Sequence, residues 1–135
     1  MKSKVCIVIE TYEGKIFGCY IDIIIDKVRK DMKDENAFVF NLESNGRHKS
    51  PIKFDILKEE CDTAFWLFPD DYDGLFRCGN VEILIYKENR KSSSYCRQYE
   101  NSRFDYRGVE KALVENPHPN GKDFTPKRII VIQMN

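Results

Sequence analysis

Five short apolar runs, each closed by turn residues, constrain the fold of this chain more than any other feature. They comprise residues 5–9, 16–21, 37–42, 81–86 and 129–134. Apolar runs of this length, bounded by Gly, Pro, Asn and Asp, are typical of β-strands. With 135 residues the chain is long enough to bury one core, and no repeat or interdomain linker divides it. The sequence therefore predicts a single, mainly β domain over residues 1–135.

Three further strands complete the predicted sheets. They lie at residues 52–56, 64–68 and 75–78. Asn45-Gly46 is a strong signal for a hairpin turn, and Gly14 closes another turn between the first two runs. Gly18 stands inside the second run, where the absence of a side chain indicates that another group packs closely over the strand.

Two segments have apolar side chains at helical spacing. Residues 22–35 are compatible either with a short helix or with an irregular crossing, and residues 108–115 with one or two helical turns. The runs at 5–9 and 129–132 are apolar at every position, which is typical of strands covered on both faces. We therefore expect both terminal strands at sheet centres, in a two-sheet antiparallel β-sandwich with one or two short flanking helices.

Composition excludes several classes of function. Lys and Arg total 22, as do Asp and Glu, so the chain lacks the basic excess typical of nucleic-acid binders. A DNA-binding regulator is accordingly the weakest hypothesis. No apolar run approaches the ~20 residues of a membrane helix, and the N-terminus does not resemble a signal peptide. Five cysteines with no C-x-x-C pair predict free thiols and a reducing compartment, the cytoplasm or the nucleus.

Catalytic and metal-binding motifs are missing from the sequence. The two histidines, His48 and His118, lie in turn-rich segments, and no Cys/His spacing fits zinc. Asp71, Asp73 and Gly74 suggest a calcium loop, but an EF-hand alignment would place proline and asparagine at its first and last ligand positions. The sequence therefore predicts an acidic turn, no metal, no cofactor and no catalytic residue.

The polar stretch around Cys96 carries the remaining candidate residues. Arg97 is adjacent to Cys96 and Lys91 is nearby, and positive neighbours lower the pKa of a thiol and favour its reaction with peroxide. The alternative interpretation is an ordinary half-buried cysteine near a strand end. Tyr95 and Arg97 belong to a longer stretch of interleaved aromatic and basic residues, a pattern that can stack on nucleic-acid bases. Acidic residues dilute the charge of the stretch, which favours a solvated loop or a protein-contact surface.

The order of the segments resembles the TLDc domain family. Residues 5–20 resemble its first strand and its Phe-Gly return strand, 36–42 its next strand, and 75–86 its glycine turn and long strand. Residues 94–99 match a Ser-x-Cys-x-x-aromatic pattern, and 124–134 match the closing strand. The family usually has an N-terminal helical segment, a longer glycine run and an acidic residue before the third strand. Here the chain begins at the strand, Gly79 stands alone, and Asn36 replaces the acidic residue.

The resemblance implies a two-sheet sandwich, a link to resistance against oxidative damage and, in several members, binding to the vacuolar ATPase. It transfers no catalytic residue. The first hypothesis is therefore a non-catalytic protein-interaction module in which Tyr95 and Arg97 contact a protein partner, with vacuolar ATPase subunits as candidates. The second is a thiol-based peroxide scavenger or sensor that uses Cys96.

Overall fold

The computed structural model describes residues 4–44, 46, 51–79, 82–87, 94–96, 102–109, 112–113 and 124–134. Over these ranges it contains eight strands: β1 (Val5–Thr11), β2 (Ile16–Ile21), β3 (Phe38–Glu43), β4 (Ile52–Asp55), β5 (Phe65–Leu67), β6 (Gly74–Cys78), β7 (Ile83–Tyr86) and β8 (Pro126–Gln133). One 3-10 helix, Lys58–Thr63, precedes β5. No helix in these ranges is long and apolar enough to cross a membrane.

The strands form two antiparallel sheets. One has five strands in the order β4-β3-β2-β1-β8, and the other has three in the order β5-β6-β7. Each strand in the first sheet except β8 pairs with its neighbour in the sequence, as expected for strands joined by hairpins and short crossings. The predicted fold class, a mainly β two-sheet sandwich, is confirmed.

The core lies between the two sheets because alternate residues of each strand point inward. The five-stranded sheet contributes Val5, Ile7 and Ile9 from β1 and further residues from β2 to β4, and the other sheet contributes residues of β5 to β7. The largest fully buried side chains include Phe17, Phe54 and Phe65. Burying an aromatic side chain of this size contributes about 1.5–3 kcal/mol to stability, so this layer is the main source of cohesion between the sheets.

The expectation that both terminal strands occupy sheet centres is right for β1 and wrong for β8. β1 pairs with β2 on one side and with β8 on the other. β8 is the last strand of its sheet, and Ile130, Val131 and Ile132 are 40%, 48% and 45% exposed. An apolar run indicates only that its side chains are not polar, and it does not indicate whether the strand pairs with one neighbouring strand or two.

The two segments with helical spacing contain no helix among their described residues. Residues 22–36 form an irregular crossing, in which Arg29 has a φ of 58° and Met32 pairs with Phe65 of β5. Ile25 and Met32 are buried, while Val28 is exposed, so the expected helical stripe does not exist. In the second segment Ala112 and Leu113 are buried, and residues 110, 111, 114 and 115 lie outside the described part of the chain.

The expectation of five free thiols is also wrong. Cys19 of β2 and Cys78 of β6 form a disulfide between the two sheets, and their Cα atoms are 7.0 Å apart. Both side chains point inward from facing strands, which brings together cysteines that are 59 residues apart in the sequence. Spacing along the chain cannot reveal such a pair. Cys6, Cys61 and Cys96 are free.

Candidate protein-interaction surface

The side of the five-stranded sheet that faces away from the core is largely apolar. Strand pairing aligns its side chains in two rows that cross the sheet. The first row is Ile132, Cys6, Tyr20, Phe38 and Asp55. The second is Ile130, Val8, Gly18, Phe40 and Lys53. We call the apolar members of these rows, together with Leu42, the outer face.

Aromatic side chains form the middle of the outer face. The rings of Tyr20 and Phe38 stack with their centroids 5.0 Å apart, and Phe38 lies 6.2 Å from Phe40. At the β4 margin the ammonium group of Lys53 lies over the ring of Phe38, 4.7 Å from its centroid, in a cation–π contact. The contacts fix a flat apolar platform before any partner binds.

Gly18 is the reason why this platform is flat. A Cβ atom added to Gly18 would come within 2.9 Å of the ring of Phe40 and would collide with the backbone carbonyl oxygen of Ile7. The Phe40 ring therefore occupies the space that a side chain on β2 would fill, and Phe40 itself is buried. The prediction that a group packs closely over Gly18 is confirmed.

Exposure rises from the centre of the outer face toward its edges. Leu42 is 43% exposed on β3, and Ile130 and Ile132 are similarly exposed on β8. A contiguous apolar surface on a folded domain is typical of an interaction site when it is rimmed by polar groups. The outer face has such a rim on two sides.

The first part of the rim is a hydrogen-bonded group around Asp22. The hydroxyl of Tyr20 donates to a carboxylate oxygen of Asp22 at 2.6 Å, and Lys4 approaches the same oxygen at 3.1 Å. The hydrogen bond to Asp22, with a smaller contribution from burial, raises the pKa of Tyr20 to about 12. The same bond lowers the pKa of Asp22. Tyr20 is therefore anchored by its hydroxyl while its ring lies on the outer face.

Asp34 connects this rim to the irregular crossing. Its buried carboxylate accepts the backbone N–H groups of Asp22 at 2.6 Å and of Asn36 at 2.9 Å. Burial raises the pKa of Asp34 despite these hydrogen bonds. One carboxylate thus holds both ends of the crossing together, and these bonds fix the position of the crossing beside the outer face. On the opposite side, Arg128 pairs with Glu10 at 2.9 Å.

Of the binding residues predicted from the sequence, the structure describes only Tyr95. Its backbone forms two hydrogen bonds with Leu84, of 2.9 and 3.0 Å, and thereby extends the three-stranded sheet. Its side chain is half-buried, with the ring 6.5 Å from that of Tyr86. Tyr95 thus belongs to the sheet that does not carry the outer face. Arg97 lies outside the described residues, so its contact with a partner stays a prediction.

Cys96 lies in the core, with only 3% of its surface exposed. Burial raises the pKa of its thiol well above the ordinary value, and the negative charge of Glu82 adds to this effect. The direction is opposite to the one that positive neighbours were expected to produce. A buried thiol with a raised pKa is poorly suited to attack peroxide, because the thiolate is the nucleophile.

The surroundings of Cys96 are acidic and enclosed. Glu82 is buried and accepts a hydrogen bond from the backbone N–H of Arg103. Tyr106 lies in the same environment, where burial and the charge of Glu82 raise the pKa of its hydroxyl. That hydroxyl has no hydrogen-bond partner among the described residues. These groups are enclosed by the core, so they are not placed to meet a substrate.

Metal ligands are not assembled in the described ranges, where no group of three or more His, Cys, Asp or Glu side chains could hold an ion. Asp71, in the predicted acidic turn, forms an ion pair with Arg29 at 3.3 Å. His48 and His118 lie outside those ranges.

The outer face escaped sequence interpretation because its residues sit in runs that are apolar on both sides. The alternation of Phe38, Phe40 and Leu42 was visible, but an alternating set can point to the core or to solvent. Only strand pairing decides between the two. No protein-family model matches this chain, and no curated protein is significantly similar to it.

Proposed function

We propose that this chain is a non-catalytic protein-interaction module and that it binds its partner through the outer face. The observation that carries the proposal is the pair of apolar rows that cross four strands of the larger sheet. Sheets bury an apolar face against another layer of secondary structure. Among the described residues, a second layer covers this sheet on the core side only, and in this proposal a partner protein supplies the layer on the other side.

The chemistry of the surface defines the partner that would fit. Tyr20 and Phe38 offer a flat aromatic surface, which suits the apolar side of an amphipathic helix. Charged groups at the two ends, Lys4 with Asp22 and Arg128 with Glu10, favour a partner segment that is polar where it leaves the platform. Apolar centres with polar rims are the usual design of specific protein interfaces.

The resemblance to TLDc domains adds a candidate partner to this proposal. Members of that family are tied to oxidative-stress resistance, and several bind the vacuolar ATPase, whose subunits are the first proteins to test. A cytoplasmic location belongs to the same proposal, and it requires the Cys19–Cys78 disulfide to persist in a reducing compartment, where disulfides are rare. The peroxide-scavenger alternative gains no support from the buried position of Cys96.

Affinity capture from a eukaryotic lysate, with and without peroxide and followed by mass spectrometry, tests the proposal. Leu42→Lys places a charge on the outer face at a site that tolerates it, because Leu42 is 43% exposed. Tyr72→Lys is the matched control, since Tyr72 is 50% exposed in the turn between β5 and β6. We expect proteins recovered with the wild-type chain, vacuolar ATPase subunits among them, to be retained by Tyr72→Lys and reduced at least tenfold by Leu42→Lys.

Purified candidate subunits then give the affinity directly. A charge at a buried interface position costs on the order of 2 kcal/mol, which corresponds to a factor of about 30 in Kd. Equal binding by wild type and Leu42→Lys would remove the outer face as the binding surface. Weakened binding by Tyr72→Lys alone would move the interface to the other sheet.

A further inference from the structure

One edge of β8 is not paired with any described strand, and it has the properties of an edge that pairs with another strand. On one side β8 bonds to β1, and the N–H of Met134 donates to the carbonyl oxygen of Lys4 at 2.8 Å. Backbone groups in a strand alternate in direction, so residues 130 and 132 face β1 in the same way. Residues 127, 129, 131 and 133 direct their N–H and C=O groups outward, and no strand of the described chain pairs with them.

The protection of this edge is incomplete. Natural edge strands are usually protected by proline, charge or a bulge. β8 carries Pro126, Lys127 and Arg128 at its beginning, and its register with β1 shifts at Glu10/Thr11. Residues 129–132 contain no such device, although three of the four are exposed. Residues 129–132 can therefore pair with another strand, and the protected residues 126–128 limit the registers that such a strand can adopt.

We propose that β8 pairs antiparallel with β8 of a second copy of this chain, with the two-fold axis at Ile130. In an antiparallel ladder, a residue that directs its backbone outward must face another of the same kind. Only an axis through a residue position satisfies this rule, and Ile130 is the centre of the outward-facing residues 127, 129, 131 and 133. An axis at Ile130 pairs Ile129 with Val131 and Lys127 with Gln133. An axis at Val131 carries Lys127 beyond the end of the strand, so it forms fewer hydrogen bonds.

Charge favours a second copy in this orientation. The antiparallel register sets Lys127 and Arg128 of each strand against the uncharged Gln133 and Ile132 of the other. The two Lys127 side chains then lie six residues apart along the ladder, about 20 Å at the usual rise per residue. Parallel pairing would place them side by side. Arg128 is already neutralised by its own Glu10.

The pairing also continues the outer face. Ile130 lies on that face at the edge of the sheet, so the two-fold axis brings Ile130 of both copies together, while Ile132 faces Arg128 of the other copy. The product is one ten-stranded sheet in which the two outer faces meet at Ile130, with the Arg128–Glu10 pair of each copy beside the seam. The edge bonds and the outer face are separate features, and each can be disabled without the other.

Sedimentation velocity of the full chain over a wide concentration range is the first test. The expected result is a shift from the 15.9 kDa monomer toward a species of twice that mass. Val131→Pro removes an outward N–H and leaves the bonds between β1 and β8 intact, so we expect it to be folded and monomeric. Leu42→Lys, which alters the outer face but not the edge, should dimerise like the wild type. A wild-type chain that stays monomeric, or a dimeric Val131→Pro, would overturn the proposal.

Crosslinking tests the register. In a background without the free thiols of Cys6, Cys61 and Cys96, Ile130→Cys places two thiols opposite each other at the axis, and mild oxidation should give a covalent dimer. Leu42→Cys in the same background should not crosslink. A dimer that fails to crosslink at position 130 would exclude this register. A monomer that binds a lysate protein through Leu42 would exclude the dimer while retaining the proposed function.

Discussion

At the scale of single residues, burial decides which side chains are available for chemistry. Cys96 and Tyr106 share an enclosed environment with the charge of Glu82, and burial raises both of their pKa values. By contrast, Tyr20 is anchored at the surface by Asp22 and presents its ring to solvent. The side chain that is available to a partner is therefore Tyr20, whose hydroxyl already has a hydrogen-bond acceptor within the protein.

Cys96→Ser tests the thiol at this scale. We expect the variant to consume peroxide at the same rate as the wild type, because the Cys96 thiol is buried and its pKa is raised. The rate is measured with a peroxide-specific dye under pseudo-first-order conditions, and Cys6→Ser serves as the matched control. Saturable consumption that Cys96→Ser abolishes and Cys6→Ser retains would revive the peroxide-scavenger hypothesis.

At the scale of strands and helices, the close approach of two backbones restricts which residue types a position can accept. Gly18→Ala should destabilise the domain by about 1–3 kcal/mol, the usual cost of overpacking, because its new Cβ would collide with the carbonyl oxygen of Ile7. Urea unfolding followed by circular dichroism measures the loss.

Gly46→Ala is the control for this prediction. Gly46 has a φ of 84° but has no atom within 4 Å of an added Cβ, so its loss is conformational and about 1 kcal/mol. An unfolding midpoint for Gly18→Ala equal to that of the wild type would show that β1 and β2 separate at little cost.

The sequence predicted the elements better than their positions in the sheets. β2 begins and ends at the predicted residues, because its apolar run is bounded by a turn and by Asp22. The 3-10 helix was missed because Lys58–Thr63 contains one buried residue, Cys61, and hence no periodic signal. The edge position of β8 and the orientation of the outer face depend on pairing partners that lie far away in the chain, so no local pattern encodes them.

At the scale of the whole molecule, the Cys19–Cys78 disulfide joins the two sheets directly. A crosslink between residues 59 positions apart stabilises a protein by about 4 kcal/mol if it acts mainly by restricting the unfolded chain. We therefore expect a reductant to lower the thermal midpoint substantially, as measured by calorimetry with and without it.

The variant Cys19→Ala/Cys78→Ala checks the source of this effect. Its thermal midpoint should be low and insensitive to the reductant, while Cys6→Ser should respond like the wild type. Equal midpoints of the wild type in oxidising and reducing buffer would mean that the sheets are held by core packing alone.

The pairing of β1 with β8 has a consequence for biosynthesis. Glu10 and Arg128, which meet across these strands, are 118 residues apart. At the usual rate of translation, 5–20 residues per second, the apolar edge of β1 waits on the order of 10 s for its last neighbour. During that interval β1 cannot pair with β8, because the entropy lost in closing so long a loop is offset only when the contacts between the two strands form. The ribosome-bound chain is therefore the state of this protein with the greatest need for a chaperone.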